Sequence, residues 1–178
     1  IVWLSYHVEG IRTKGLVLDA IKNGFIYQPA VVTPIGSPAI LTSAVDIRTI
    51  DTRNRPAIAQ TFRPVSGNRT DLQYFTVVVN HFKSKGSGCA SAGPGQIPDP
   101  FVNDGQEECN LTRTSIASAL IDWLATNPTN EPTPAADRKV LIVGDLNSYA
   151  MEDPISAMTS TTFTKPPVVP AGNPNATY

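Results

Sequence analysis

The stretch Tyr74-Phe75-Thr76-Val77-Val78-Val79-Asn80-His81 constrains the fold more than any other part of the chain. Its nearly unbroken β-branched and aromatic run predicts a central strand covered on both faces, which requires further layers to cover it. Lys139-Val140-Leu141-Ile142-Val143 repeats the pattern and predicts a second buried strand. Between the two, Ile116, Ala117, Leu120, Ile121 and Leu124 recur at three- and four-residue spacing. That spacing predicts an amphipathic helix, opened by N-cap candidates in Asn110-Leu111-Thr112 and stopped by Asn127-Pro128. Pro56 to Phe62 alternates as a half-buried strand does, with Pro tolerable at its first residue. Phe25-Ile26-Tyr27 reads as a strand ending at Gln28-Pro29. Ala30 to Thr33 reads as a second short strand closed by Pro34-Ile35-Gly36-Ser37-Pro38, and Gly67-Asn68-Arg69 as a turn. The order strand, strand, helix, strand predicts an α/β or α+β layered sandwich.

Gly and Pro together number 28 of 178 residues, which argues against a coiled coil or helical bundle and predicts long ordered loops. The largest of these runs from Lys85 to about Asn110, and Cys89 and Cys109 bracket it. Two cysteines without a Cys-x-x-Cys partner do not make a zinc site unaided. A Cys89–Cys109 disulfide closing the loop is worth about 3 kcal/mol and implies an oxidising compartment; two free thiols are the alternative. Three sequons, at Asn68, Asn110 and Asn175, arise readily in an Asn/Thr-rich chain and decide nothing.

The net charge is −1, which argues against a polycation that coats nucleic acid. The charge is uneven, however. From Arg48 to Lys85 seven basic residues face two acidic ones, a local balance of +5 that leaves −6 for the rest. Such a stretch suits an anionic ligand at one place, or else a set of solvated cations. Both predicted central strands end in polar residues, Asn80-His81 and Gly144-Asp145-Leu146-Asn147. Ligand sites of α/β layers gather at strand ends. Strand alternation places Asp145 and Asn147 on one side, where a carboxylate and an amide can orient water, hold a hard cation and donate to a developing negative charge. A plain strand-to-turn transition uses the same residue types. Arg55 stands just before Pro56, whose fixed φ preorganises the guanidinium for a phosphate, and Lys83 and Lys85 follow His81.

Three blocks in this order resemble the endonuclease/exonuclease/phosphatase superfamily: Asn54-Arg55-Pro56-Ala57-Ile58-Ala59-Gln60-Thr61-Phe62, then Val78-Val79-Asn80-His81-Phe82-Lys83-Ser84-Lys85-Gly86, then Gly144-Asp145-Leu146-Asn147-Ser148-Tyr149 with Glu152-Asp153-Pro154. The branch they look most like is that of the large secreted bacterial nucleases, to which Asp19 to Tyr27 and the Cys-flanked loop before Thr112-Arg113-Thr114 are also similar. The resemblance implies a four-layer α/β sandwich of the pancreatic-deoxyribonuclease-like type. It implies a secreted divalent-metal phosphodiesterase using Mg²⁺, or Mn²⁺ or Ca²⁺, on nucleic acid, DNA before RNA, with no membrane partner. It assigns Asp145 to the attacking water and the metal, Asn147 to the charged transition state, and His81 to a phosphate oxygen or the leaving group. Arg55 then holds the neighbouring phosphate, Lys83 and Lys85 contact the substrate backbone, and Asp19 orients His81.

The family's early Gln-Glu strand has no match; Glu9 is a tempting substitute but lies too close to Asp19. The final Asp-His pair of the family would follow Ala176-Thr177-Tyr178. Residues 19–178 are therefore expected to be a partial catalytic domain of low activity by itself, with 1–18 unassigned. Sphingomyelinases and phosphoinositide phosphatases share the motif logic, though no exposed aromatic hairpin suited to a membrane is expected. A noncatalytic secreted binding module would account for the Thr, Pro and Asn content, yet leaves the two polar strand ends unexplained.

Overall fold

The computed structural model describes residues 2–4, 22–65, 73–91 and 97–160. Asp19, Glu9, the predicted turn at Gly67–Arg69 and the chain beyond 160 lie outside the described residues. The architecture is mixed α/β. A two-stranded antiparallel pair joins β1 (Val2–Leu4) to β2 (Phe25–Tyr27). A four-stranded sheet is ordered β3 (Val32–Leu41), β4 (Arg55–Pro64), β5 (Phe75–His81), β6 (Val140–Asp145). The first three strands run antiparallel and β6 joins β5 in parallel. The crossover between β5 and β6 carries the cysteine loop and α1 (Asn110–Ala125); a short α2 (Asp153–Thr159) follows β6.

The core sits on one face of the sheet. Val78 of β5, Ala57 and Ala59 of β4 and Leu41 of β3 meet Ile116, Ala117, Leu120 and Leu124 of α1. On the opposite face Phe62 packs between Phe25 and Phe75, with ring centroids 5.7 and 5.8 Å away. β5 is interior, as its composition predicts, but its two faces differ: Thr76, Val78 and Asn80 are buried, whereas Phe75, Val77, Val79 and His81 are half-buried. β6, expected to be buried, is an edge strand among the described residues, and its Leu141 is 51% exposed. β-branched content reports strand propensity and does not separate an edge from an interior position.

β3 is longer than the sequence suggests. It continues through Pro34, Gly36 and Pro38 because among the described residues it too is an edge strand, where a missing N–H is tolerated. A register shift between Ile35 and Ala39 absorbs the irregular stretch.

α1 does not take its cap from Asn110-Leu111-Thr112. Its N-cap residue is Cys109, in the left-handed region at φ 62°, and the carboxylate of Asp99 accepts from the Thr112 N–H at 2.7 Å and the Leu111 N–H at 3.3 Å. The Cys89–Cys109 disulfide is formed and buried. Among its described residues the loop it closes has one bridge, Cys89 to Asp99, and carbonyls there find donors in two buried guanidinium groups. Arg53 donates to the carbonyls of Cys89, Ser91 and Ile97 and to Thr112 Oγ1. Arg113, fully buried, donates to the carbonyls of Gln106 and Glu108. Planar multi-donor Arg suits this task, since an ordered loop without a ladder must satisfy its backbone elsewhere.

Near the short 3₁₀ turn Ile47–Thr49, Arg48 clamps Asp46 at 2.6 Å and Asp122 of α1 at 2.8 Å. The hydrogen bond from Arg48 holds the Asp46 carboxyl below its ordinary value of 3.8. A carboxyl depressed in the folded state stabilises at neutral pH and loses that contribution as pH falls through the carboxylate range. Because Arg48 is 39% exposed, solvent screening keeps the effect to about 1 kcal/mol or less. Urea unfolding of Asp46→Asn is expected to show a small deficit at pH 7 that shrinks below pH 3.8. A deficit that stays constant across that range would show that charge is not its source.

Candidate functional site

The register of the sheet brings the predicted residues together. Arg55 of β4 pairs with His81 of β5, and His81 pairs with Asp145 of β6. Residues opposed in this way project from the same face, so the three side chains form one row across three adjacent strands, Arg55 to Asp145 spanning roughly 10 Å at standard strand spacing. The row lies on the face opposite α1, continuing the line of Val77 and Val79. A register shift between Arg55 and Ile58 adds one residue to β4, and this is what sets Arg55 opposite His81. His81 and Arg55 are half-buried and Asp145 is exposed. Among the described residues no group hydrogen-bonds to the His81 imidazole.

Asn147 reaches the site by another route than alternation. It stands beyond the end of β6 at φ 47°, where its N–H donates to Asp145 Oδ1 at 2.8 Å and its side-chain amide donates to the Phe82 carbonyl at 3.0 Å. The Asx turn so formed fixes the Asp145 carboxylate and stitches the β6 end to the chain after β5. Gly144 makes the close approach feasible: its φ is +114°, and a Cβ there would lie 2.1 Å from the Asn80 carbonyl oxygen.

The flanking loops are tied into the same structure. Asn54, buried, donates to the Thr49 carbonyl and accepts from the Lys83 N–H at 2.9 Å, fixing the segment before Arg55 against the segment after His81. The Lys83 ammonium bonds Ser84 and Ser87 within its own loop. Lys85 reaches Glu152 Oε1 at 2.5 Å and lies 4.1 Å from the centre of the Tyr149 ring. Both lysines thus have local partners besides any substrate. Burial lowers the Lys83 ammonium from its ordinary value, and the nearby cations Arg113, Arg55 and Arg53 lower it further, against Glu108.

Three of the seven cations in the basic stretch are spoken for: Arg53 is structural, Arg48 is paired with two aspartates and Lys85 with Glu152. Asp122 and Glu152 are remote in sequence from the cations they neutralise, so a local charge count misses them. Ile97, Phe101 and Val102 of the disulfide loop are exposed, one aromatic among three apolar side chains and not a hairpin.

Asp145 is an exposed carboxylate beside an imidazole and an amide, one hard anionic ligand of the kind that Mg²⁺ shares with substrate oxygens and water. Among the described residues no three His, Cys, Asp or Glu side chains gather as a metal centre. No helix among the described residues is long and apolar enough to cross a membrane. No protein-family model matches the chain, and comparison with curated proteins and with solved structures likewise gives no match.

Proposed function

We propose that the protein is a secreted, divalent-metal-dependent phosphodiesterase that hydrolyses nucleic acid, built on the four-layer α/β plan of the endonuclease/exonuclease/phosphatase superfamily. The row Arg55–His81–Asp145 carries the reading, because it aims a guanidinium, an imidazole and a carboxylate from three strands at one surface. Arg55 at the start of β4 and Lys83 just after β5, held together through Asn54, support an anionic substrate. The buried disulfide supports secretion, since such bonds persist in oxidising compartments.

On this reading Arg55 binds a substrate phosphate bidentately and fixes the strand. Asp145 orients the attacking water, with its carboxylate held by the Asn147 N–H. His81 donates to a phosphate oxygen or protonates the leaving group. Asn147 spends one amide N–H on the Phe82 carbonyl, and the other serves the charge that develops on the phosphoryl group. Asp145 is the residue that would hold Mg²⁺ or Mn²⁺, and the ion would supply Lewis acidity. Lys83 and Lys85 shape the loop and its potential.

A second reading, hydrolysis at a lipid surface, is favoured by the exposed Ile97, Phe101 and Val102. Assaying the full-length protein on plasmid DNA, RNA and sphingomyelin vesicles, each with Mg²⁺ and with EDTA, separates the two. EDTA-sensitive cleavage of nucleic acid is expected. Turnover of sphingomyelin alone selects the second reading, and turnover of none of the three sinks both.

A further inference from the structure

Tyr149 is two residues past Asn147, on the loop between β6 and α2, and is 70% exposed. An exposed tyrosine on a loop ordinarily samples several rotamers, yet this one is braced. The Lys85 ammonium lies over its ring at 4.1 Å, and Lys85 is itself fixed by Glu152, a carboxylate with only 7% side-chain exposure. The Tyr149 carbonyl accepts from the Glu152 N–H at 3.0 Å, so one turn carries both the ring and the carboxylate that fixes the cation over it. A partly buried ion pair is thereby committed to holding an exposed aromatic surface in place. Burying charge to this end adds little stability, so a rigid, open ring is what the arrangement delivers. Met151, at 89% exposure, extends the apolar surface beside it.

We infer that Tyr149 is a stacking platform for a nucleobase of the strand whose phosphate lies at the Arg55–His81–Asp145 row. The inference rests on the proposed phosphodiesterase reading and deepens it: the substrate is taken with at least one base unstacked, as in a single strand or an opened duplex. The position fits this use. The loop that carries the ring is the one whose first turn holds Asp145 and Asn147, and the brace comes from the loop that follows His81. A phosphate at the row therefore leaves its base within the territory of these two loops. Aromatic stacking of this kind tolerates any base, because every base has a π-face.

The test is equilibrium binding by fluorescence anisotropy, in EDTA so that metal-dependent cleavage does not intervene. The ligands are a dT decamer and a decamer of abasic residues with the same backbone charge. With the full-length protein the dT decamer is expected to bind about tenfold more tightly, the order that one stacked base contributes. Tyr149→Ala should bring the dT decamer to the abasic level without changing the abasic affinity, and Tyr149→Phe should keep most of the preference. Equal binding of the two decamers, absence of binding to either, or equal weakening of both by Tyr149→Ala overturns the platform. Tyr149-dependent binding to sphingomyelin vesicles without a preference for dT overturns it in favour of a lipid-facing role. Failures are distinguishable: a protein that cleaves DNA without base-dependent binding loses the platform alone. One that shows base-dependent binding but hydrolyses no phosphodiester loses the reaction alone.

Discussion

Gly144→Ala is expected to lower the unfolding free energy by at least about 3 kcal/mol, read from urea or guanidinium denaturation. Two penalties coincide at this position. The φ of +114° is one that a side-chain-bearing residue adopts only under strain, and the added methyl would sit 2.1 Å from the Asn80 oxygen and 2.8 Å from its nitrogen. The obstacle is backbone in a paired strand, so no rotamer change relieves it. Relief requires β5 and β6 to separate where Asn80 pairs with Gly144 and His81 with Asp145. On the proposed reading, activity should therefore fall together with stability. A Gly144→Ala protein within about 1 kcal/mol of the parent would mean that the sheet edge yields far more readily than this contact allows.

The opposite combination is expected of Asp145→Ala on the proposed reading: hydrolysis of nucleic acid by the full-length protein falls by about a thousandfold or more, with stability nearly unchanged. Groups preorganised toward a reacting phosphate account for rate factors of this size. The structural loss is small, because Asp145 is exposed and its side chain gives up a hydrogen bond from the Asn147 N–H, worth about 1 kcal/mol. Measuring turnover and melting on the same preparation separates chemistry from folding. Rates like those of the parent would remove Asp145 from the reaction, whatever the geometry of the row.

The frame of the molecule was legible because its elements advertise themselves locally. The β-branched run ending at His81, the spacing of Ile116 to Leu124 and the apolar stretch after Lys139 each specify an element without help from distant residues. The meeting of His81 with Asp145 follows from both strands ending in polar residues, and the structure pairs those two residues directly. Other features depend on partners that no local pattern shows. Asp99 caps a helix from across a disulfide loop, and Arg53 satisfies carbonyls more than thirty positions away. Lys85 finds Glu152 on a different strand's exit loop. Asn147 is on the site side for a reason other than alternation, since Gly144 and the turn end the strand before alternation reaches it. The run of prolines in β3 misleads because edge position, a property of the whole sheet, is what makes them acceptable.

The mixed direction of the sheet sets an order of assembly. Arg55 and His81 belong to successive antiparallel strands, while Asp145 joins only after a crossover that contains the disulfide loop and a sixteen-residue helix. Distant parallel pairings form late, because the intervening chain must be closed before their contacts repay it. A nascent polypeptide that has not yet delivered β6 thus carries the guanidinium and imidazole of the row without its carboxylate. On the proposed reading, hydrolytic competence arrives as one of the last events of maturation.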